Sequence, residues 1–258
     1  MKGVEEIFIN KNSKIGVLML HGFTSTPRQF KELSIYLSEK GFNVLAPLIA
    51  GHGTSPKDMI KTSPKEWTES AKNAYFKLKG ISEKVFIVGN SFGSNLAFWM
   101  AKELNNEPSA IIALGAPIFL RYHNFIKFRL FTYGRFKKYY HKPLRLYKAD
   151  YTDMLDEISY PIIPVKNLNE FFRFLEKETR PNLCKIKIPV LIASASTDPV
   201  IHPKSTEYIL KNISSLKKET FWFKSKEHDM PGERCEGLFE KIYEFIKEST
   251  DVPNFNVS

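Results

Sequence analysis

Gly89-Asn90-Ser91-Phe92-Gly93 sets one serine midway between two glycines. A serine hydroxyl is a weak nucleophile until a base takes its proton, and that base is usually a histidine oriented by a carboxylate. The flanks of the motif give it meaning. Residues 84–88 read as a buried strand, and Phe92, Leu96, Met100 and Leu104 recur every four residues, which predicts a helix. A sharp strand-to-helix turn lifts the Ser91 hydroxyl above the sheet edge and crowds the backbone, so glycine at 89 and 93 avoids a clash. It also leaves the Phe92 N–H at a helix start, where donors lack intrahelical partners and can stabilise an oxyanion.

Where serine sits on such a turn, the acid and then the base follow it in the chain. Four histidines follow: His123, His141, His202 and His228. His123 and His141 lie in a basic stretch ahead of the late strands. His202 precedes Pro203 and reads as a helix cap. His228 falls between the last strand and the last helix and is the expected base. Asp198 follows the strand at 189–193 and is the expected orienting acid. Asp229 is a rival, but adjacent residues rarely aim side chains at each other; Asp153 and Asp156 read as surface acids. Leu20-His21-Gly22-Phe23-Thr24 closes the first strong strand. Its Phe23 N–H can point at the same oxyanion as that of Phe92, with His21 orienting the loop through hydrogen bonds.

These residues need a scaffold. Short apolar runs at 6–9, 15–20, 43–48, 84–88, 110–114, 189–193 and 219–223 read as strands, the middle ones buried on both faces. Between them lie helices with readable ends. Thr26 is positioned to cap one beginning at Pro27, and Ser63-Pro64-Lys65-Glu66 is a capping box. His202-Pro203 opens another, and Leu238, Ile242, Phe245 and Ile246 mark the last. Regular alternation predicts an α/β fold: a mostly parallel sheet of about seven strands with helices on both faces.

Residues 118–181 interrupt this rhythm, without strand periodicity, and predict a helical cap insertion. The expected organisation is a discontinuous core at 1–117 and 182–250, a cap at 118–181 and a loose tail at 251–258. Residues 118–150 hold nine basic residues against the single acid Asp150, while the rest of the chain has 29 basic and 27 acidic residues; most of the net charge of +10 is therefore in the insertion. Its aromatics are expected to face a pocket and its bases to face solvent. Contact with an anionic membrane surface is the second reading, and nucleic acid is not expected.

A hydrophobic fraction of 43% with 26% charged residues fits a globular chain rather than a disordered one. No apolar run approaches the roughly 20 residues of a membrane span, and the first residues lack a signal-peptide stretch, so a cytoplasmic location is expected. Cys184 and Cys235 are too few for a disulfide framework or a four-cysteine metal site, and both are expected as buried thiols. No metal or cofactor is expected, and the chain is expected to be a monomer or dimer.

Taken together, Leu20–Pro27 (LHGFTSTP), Pro47–Pro56 (PLIAGHGTSP), Gly89–Gly93 (GNSFG), the Asp198 turn and the His228 loop resemble the bacterial carboxylesterases and monoacylglycerol lipases of the α/β-hydrolase superfamily. The resemblance spans nearly all of residues 15–248. It implies the α/β-hydrolase fold, nucleophile Ser91, acid Asp198, base His228 and oxyanion donors at the Phe23 and Phe92 N–H groups. It implies a structural loop at Gly51-His52-Gly53. The expected activity is cleavage of short- to medium-chain acyl esters or monoacylglycerols, small or lipid-like, through an acyl-enzyme. A thioesterase or feruloyl-type esterase, a C–C hydrolase or a perhydrolase would use the same residues. A non-catalytic protein binding membrane through its basic cap is the alternative from a different class. Asn90 departs from the family, which often has a small or apolar residue or a histidine there, and the insertion is unusually basic.

Overall fold

Runs of apolar residues become strands. β1 (Ile7–Ile9), β2 (Ile15–Leu20), β3 (Asn43–Ala46), β4 (Lys84–Asn90), β5 (Ala110–Leu114), β8 (Val190–Ala195) and β9 (Lys218–Phe223) form one sheet in the order β1-β3-β2-β4-β5-β8-β9. Only β1 is antiparallel to its neighbour. The computed structural model describes residues 4–132, 134, 136–142, 159–224 and 235–250.

Period-two alternation splits each strand between two cores. Leu18, Leu20 and Ile87 pack on one face with Trp67, Phe92 and Phe98. Val17, Met19, Phe86 and Val88 pack on the other with Phe30, Phe245 and Ile246. The first face is covered by α3 (Pro64–Lys79) and α4 (Phe92–Glu103), the second by α1 (Lys31–Glu39) and α8 (Leu238–Thr250). The central strands are buried on both sides, so their sequences read as unbroken apolar runs.

The helix boundaries follow local chemistry. Ser63 and Glu66 form the expected capping box at the start of α3. Ser55 caps the short α2 (Pro56–Met59) through the Asp58 N–H. Thr26 departs from expectation. It precedes a 3-10 turn, Pro27–Phe30, rather than an α-helix, and its side chain makes no capping bond.

The segment between β5 and β8 contains α5 (His123–Thr132), β6 (Tyr139–His141), β7 (Ile162–Pro164) and α6 (Val165–Phe174). A π-helical turn, Leu175–Thr179, and a 3-10 turn, Arg180–Lys185, lead back to the sheet. β6 and β7 pair antiparallel, a ladder too short to leave a period in the sequence. The aromatics correct a further expectation. Phe119 and Tyr140 pack against the core, but Tyr122, Phe125, Phe128, Phe131 and Phe136 are exposed, Phe136 at 90%. Cys235 is buried, whereas Cys184 is exposed. His228, Asp229, Asp153, Asp156, Tyr133, Tyr147 and the tail at 251–258 lie outside the described residues.

The order of strands locates the site. From β2 the chain moves to β3 on one side; from β4 it moves to β5 on the other. β2 and β4 are neighbours, so a crevice opens at their carboxyl ends, where open α/β sheets bind ligands. α7 (Lys204–Asn212) follows β8. Among the described residues, no helix is long and apolar enough to cross a membrane.

Candidate active site

Ser91 stands at the junction of β4 and α4, with φ 50° and ψ −119°. An L-residue at positive φ is uncommon, and such a conformation costs about 1–3 kcal/mol when the surroundings impose it. The surroundings here do. The Ser91 N–H donates to the Leu114 carbonyl at 2.8 Å, carrying the β4–β5 ladder into the turn. The Ser94 hydroxyl donates to the Gly89 carbonyl at 2.7 Å. A Cβ at Gly93 would run into the Leu20 carbonyl, and one at Gly89 into the Gly93 backbone. Helix and strands therefore meet at a distance that only glycine permits.

The loop after β2 lies against this turn. A Cβ on Gly22 would sit 3.4 Å from the Ser91 Cβ. The Gly22 carbonyl accepts from the Ser25 N–H at 3.0 Å and lies 3.0 Å from His21 Nδ1. The Gly22–Phe23 peptide is planar and trans, so anchoring that carbonyl aims the Phe23 N–H the opposite way. Gln29 Oε1 accepts from the Gly22 N–H at 3.1 Å, fixing the preceding peptide too. The Phe23 ring packs edge-on against Phe92 at 5.6 Å and against Trp67 at 5.5 Å, and stacks on Phe171 at 5.1 Å. Both candidate oxyanion residues thus belong to one aromatic cluster.

His21 Nε2 accepts from the Ile49 N–H at 3.1 Å, so Nδ1 carries the proton and donates to Gly22. This is the loop-orienting role expected from sequence. Burial, reinforced by neighbouring His52, holds His21 down to about 3. Burial likewise holds His52 down to about 4. His52 Nδ1 lies 3.0 Å from the Ala50 carbonyl and its ring faces Phe23 and Trp67, as a structural residue would.

Asp198 lies in the loop after β8 and is buried. Its Oδ1 accepts from the Val200 and Ile201 N–H groups at 2.7 and 2.8 Å, which fixes the carboxylate in one orientation. Its backbone carbonyl accepts from Arg121 Nε at 2.6 Å. Of the other histidines, His202 accepts the Lys204 N–H at 3.2 Å, but the N-cap of that helix is Pro203 and not His202 as expected. His141 is exposed on β6. His123 lies edge-on to Phe172 at 5.1 Å, its basicity lowered by burial and then by Lys127.

The Hydrolase_4 model, described as serine aminopeptidase S33, matches residues 11–235. The chain belongs to this family. It is similar to a thermostable monoacylglycerol lipase of Bacillus sp. (strain H-257), 28% identical over 224 residues that cover 86% of each chain. It is 25% identical to a carboxylesterase of Bacillus subtilis (strain 168) over 93% of this chain and 96% of the relative. Among solved structures, one described under LipS and LipT, two metagenome-derived lipolytic enzymes, superposes with a TM-score of 0.84 at 25% identity, covering 96% of this chain and 99% of the other. The monoacylglycerol lipase of Paleococcus ferrophilus shares the fold, with a TM-score of 0.76 at 21% identity over 91% and 94% of the two chains. The fold is that of the α/β hydrolases.

No local sequence pattern marks Gln29, Arg121, Ser94 and Lys142 for this site, although each supports its loops. Lys142 donates to the Thr24 hydroxyl. In the sequence Arg121 and Lys142 stand out only as members of a cationic run, because their partners are 77 and 118 residues away in the chain.

The two buried histidines have a measurable consequence. Their folded pKa values lie below the unfolded value of 6.5, so between about pH 6.5 and pH 3–4 the unfolded chain binds more protons. Their contribution to stability is complete above that window and is lost as pH falls through it. Urea denaturation at pH 7 and pH 5 should show a loss of about 2 kcal/mol from each histidine. His52→Gln should remove about half of that pH dependence; an unchanged slope would show that His52 titrates normally in the folded chain.

Proposed function

We propose that this α/β hydrolase of the lipase and esterase type cleaves carboxylic esters in two acyl-transfer steps at Ser91. The observation that carries the reading is the strained Ser91 conformation at the switch point of the sheet, with the Phe23 loop packed against it. As the Ser91 Oγ attacks the ester carbonyl, His228 takes its proton and Asp198 orients the imidazole. The Phe23 and Phe92 N–H groups stabilise the tetrahedral oxyanion. The His228 imidazolium protonates the departing alcohol, leaving an acyl-Ser91 ester. His228 then deprotonates water, which attacks the acyl carbon, and the acid departs as Ser91 is regenerated. Metal and cofactor have no part in this scheme. The thiols of Cys184 and Cys235 suit a cytoplasmic setting.

The substrates proposed are short- to medium-chain acyl esters or monoacylglycerols. Support comes from the resemblance to a monoacylglycerol lipase and a carboxylesterase, and from the aromatic cluster of Phe23, Phe92, Phe171 and Phe174 beside the turn. A panel of p-nitrophenyl esters of rising chain length, run beside monoacylglycerols, should show turnover that Ser91→Ala lowers by about 10⁴-fold or more. Full activity in Ser91→Ala would end the proposal.

The segment at 118–181 acts in this reading as a cap, and its outer face favours a lipid surface. Tyr122, Phe125, Phe128 and Phe131 follow one another at three-residue spacing and are all exposed, with Lys127 and Arg129 between them. Exposed rings set among bases suit the boundary of an anionic bilayer. In co-sedimentation, the protein should bind phosphatidylglycerol-containing vesicles more tightly than neutral ones and release as salt rises. Replacing Phe125, Phe128 and Phe131 by serine should weaken binding about tenfold per ring. Equal, salt-insensitive binding to both vesicle types would contradict it.

A further inference from the structure

The loop that carries Phe23 contains a second strained residue. Thr24 is fully buried and sits at φ 66°, a conformation that a β-branched residue rarely adopts. Strain of this kind persists only where neighbours over-determine it. Most of the neighbours at Thr24 come from the inserted segment. The Thr24 hydroxyl donates to the Phe23 carbonyl at 2.5 Å, which spends its one proton. Its oxygen lies 2.7 Å from Lys142 Nζ and 3.0 Å from Ser159 Oγ, and both must then donate to it. Lys142 Nζ also donates to Ser159 Oγ at 2.6 Å. The Tyr160 N–H donates to the Thr24 carbonyl at 3.0 Å. The Tyr160 hydroxyl accepts from the Thr54 N–H at 2.8 Å and donates to the Gly51 carbonyl at 3.2 Å, which ties the inserted segment to the loop after β3.

From this arrangement we infer that Lys142 is a positioning residue for the oxyanion donor, so that the cap completes the catalytic site in addition to covering it. The inference rests on the proposed role of Phe23. Lys142 joins Thr24 and Ser159 through one ammonium group and holds the Phe23–Thr24 peptide in its strained setting. That peptide fixes the backbone on the carboxyl side of Phe23, as His21 and Ser25 fix it on the amino side. Both anchors are needed if the Phe23 N–H is to stay within hydrogen-bond distance of a developing oxyanion. A displaced donor costs much of what a deleted one does, because the bond is required in the transition state and contributes little to ground-state binding. The expected signature is therefore a loss in kcat with little change in KM.

The test compares Lys142→Met, Lys142→Arg and Thr24→Val with the wild type on a short soluble p-nitrophenyl ester. It also measures inhibition by a trifluoromethyl ketone, whose serine adduct places an oxyanion in the site. Lys142→Met should lower kcat roughly ten- to hundredfold, leave KM within about threefold, and weaken the ketone by the same factor as kcat/KM. Lys142→Arg should recover part of the loss. Thr24→Val removes one of the acceptors that Lys142 uses, so the two losses overlap and the double variant should fall well short of the product of the two single losses. This non-additivity separates a shared role from general loosening of the fold, and Thr24→Val supplies the kcat readout should Lys142→Met fail to fold. Unchanged kcat in either single variant, or a rise in KM alone, would overturn the inference. A wild type that neither turns over esters nor reacts with fluorophosphonate at Ser91 would sink this inference together with the proposed function. An active, labelled wild type with an unaffected Lys142→Met sinks this inference alone.

Discussion

Helix α4 begins so close to strand β2 that no side chain fits between them: Gly93 stands against the Leu20 carbonyl, and Gly89 against the Gly93 backbone. This contact dictates the geometry of everything around it. It forces the turn from β4 into α4 within one residue and puts that residue, Ser91, at positive φ. It also sets the first turn of α4 against the loop that follows β2. The strain is offset by ordinary cohesion: a parallel ladder on either side of β4, and two apolar cores that hold strand and helix in register.

The loop after β2 is held by a different means. Apolar packing fixes the Phe23 ring, but the direction of its peptide depends on polar contacts from three parts of the chain. His21 and Ser25 hold the Gly22 carbonyl, Gln29 the Gly22 N–H, and the inserted segment holds Thr24. His21 does this as a neutral imidazole with its proton on Nδ1, and burial favours that form by holding its pKa down to about 3. On the other side of the sheet, Arg121 links the start of the insertion to the Asp198 loop. The inserted segment therefore contacts both the loop after β2 and the loop after β8.

What could be read from the sequence follows from how far apart the interacting residues are. The strands were legible because burial on both faces leaves continuous apolar runs, and α3 because its capping box is a four-residue signal. Ser91 was legible because the crowding at its turn demands glycine on both sides. The position of Asp198 just after a strand is legible in the sequence, but its fixed orientation is not, since that depends on the Val200 and Ile201 N–H groups. The supports from Lys142 and Arg121 were not legible, since pairing across many residues leaves no local pattern. The rings of α5 misled for another reason. Three-residue spacing groups Phe125, Phe128 and Phe131 on one face but does not say which way that face points, and apolar residues usually point inward. β6 and β7 are each too short to show a period.

In the proposed mechanism the Ser91 hydroxyl is the group activated as a nucleophile. Intact-mass and peptide analysis after treatment with a fluorophosphonate tests that most directly. The expected result is a single adduct, on the peptide containing Ser91, that disappears in Ser91→Ala and is strongly slowed in His228→Ala. No adduct, or an adduct on another residue with Ser91 untouched, would contradict it.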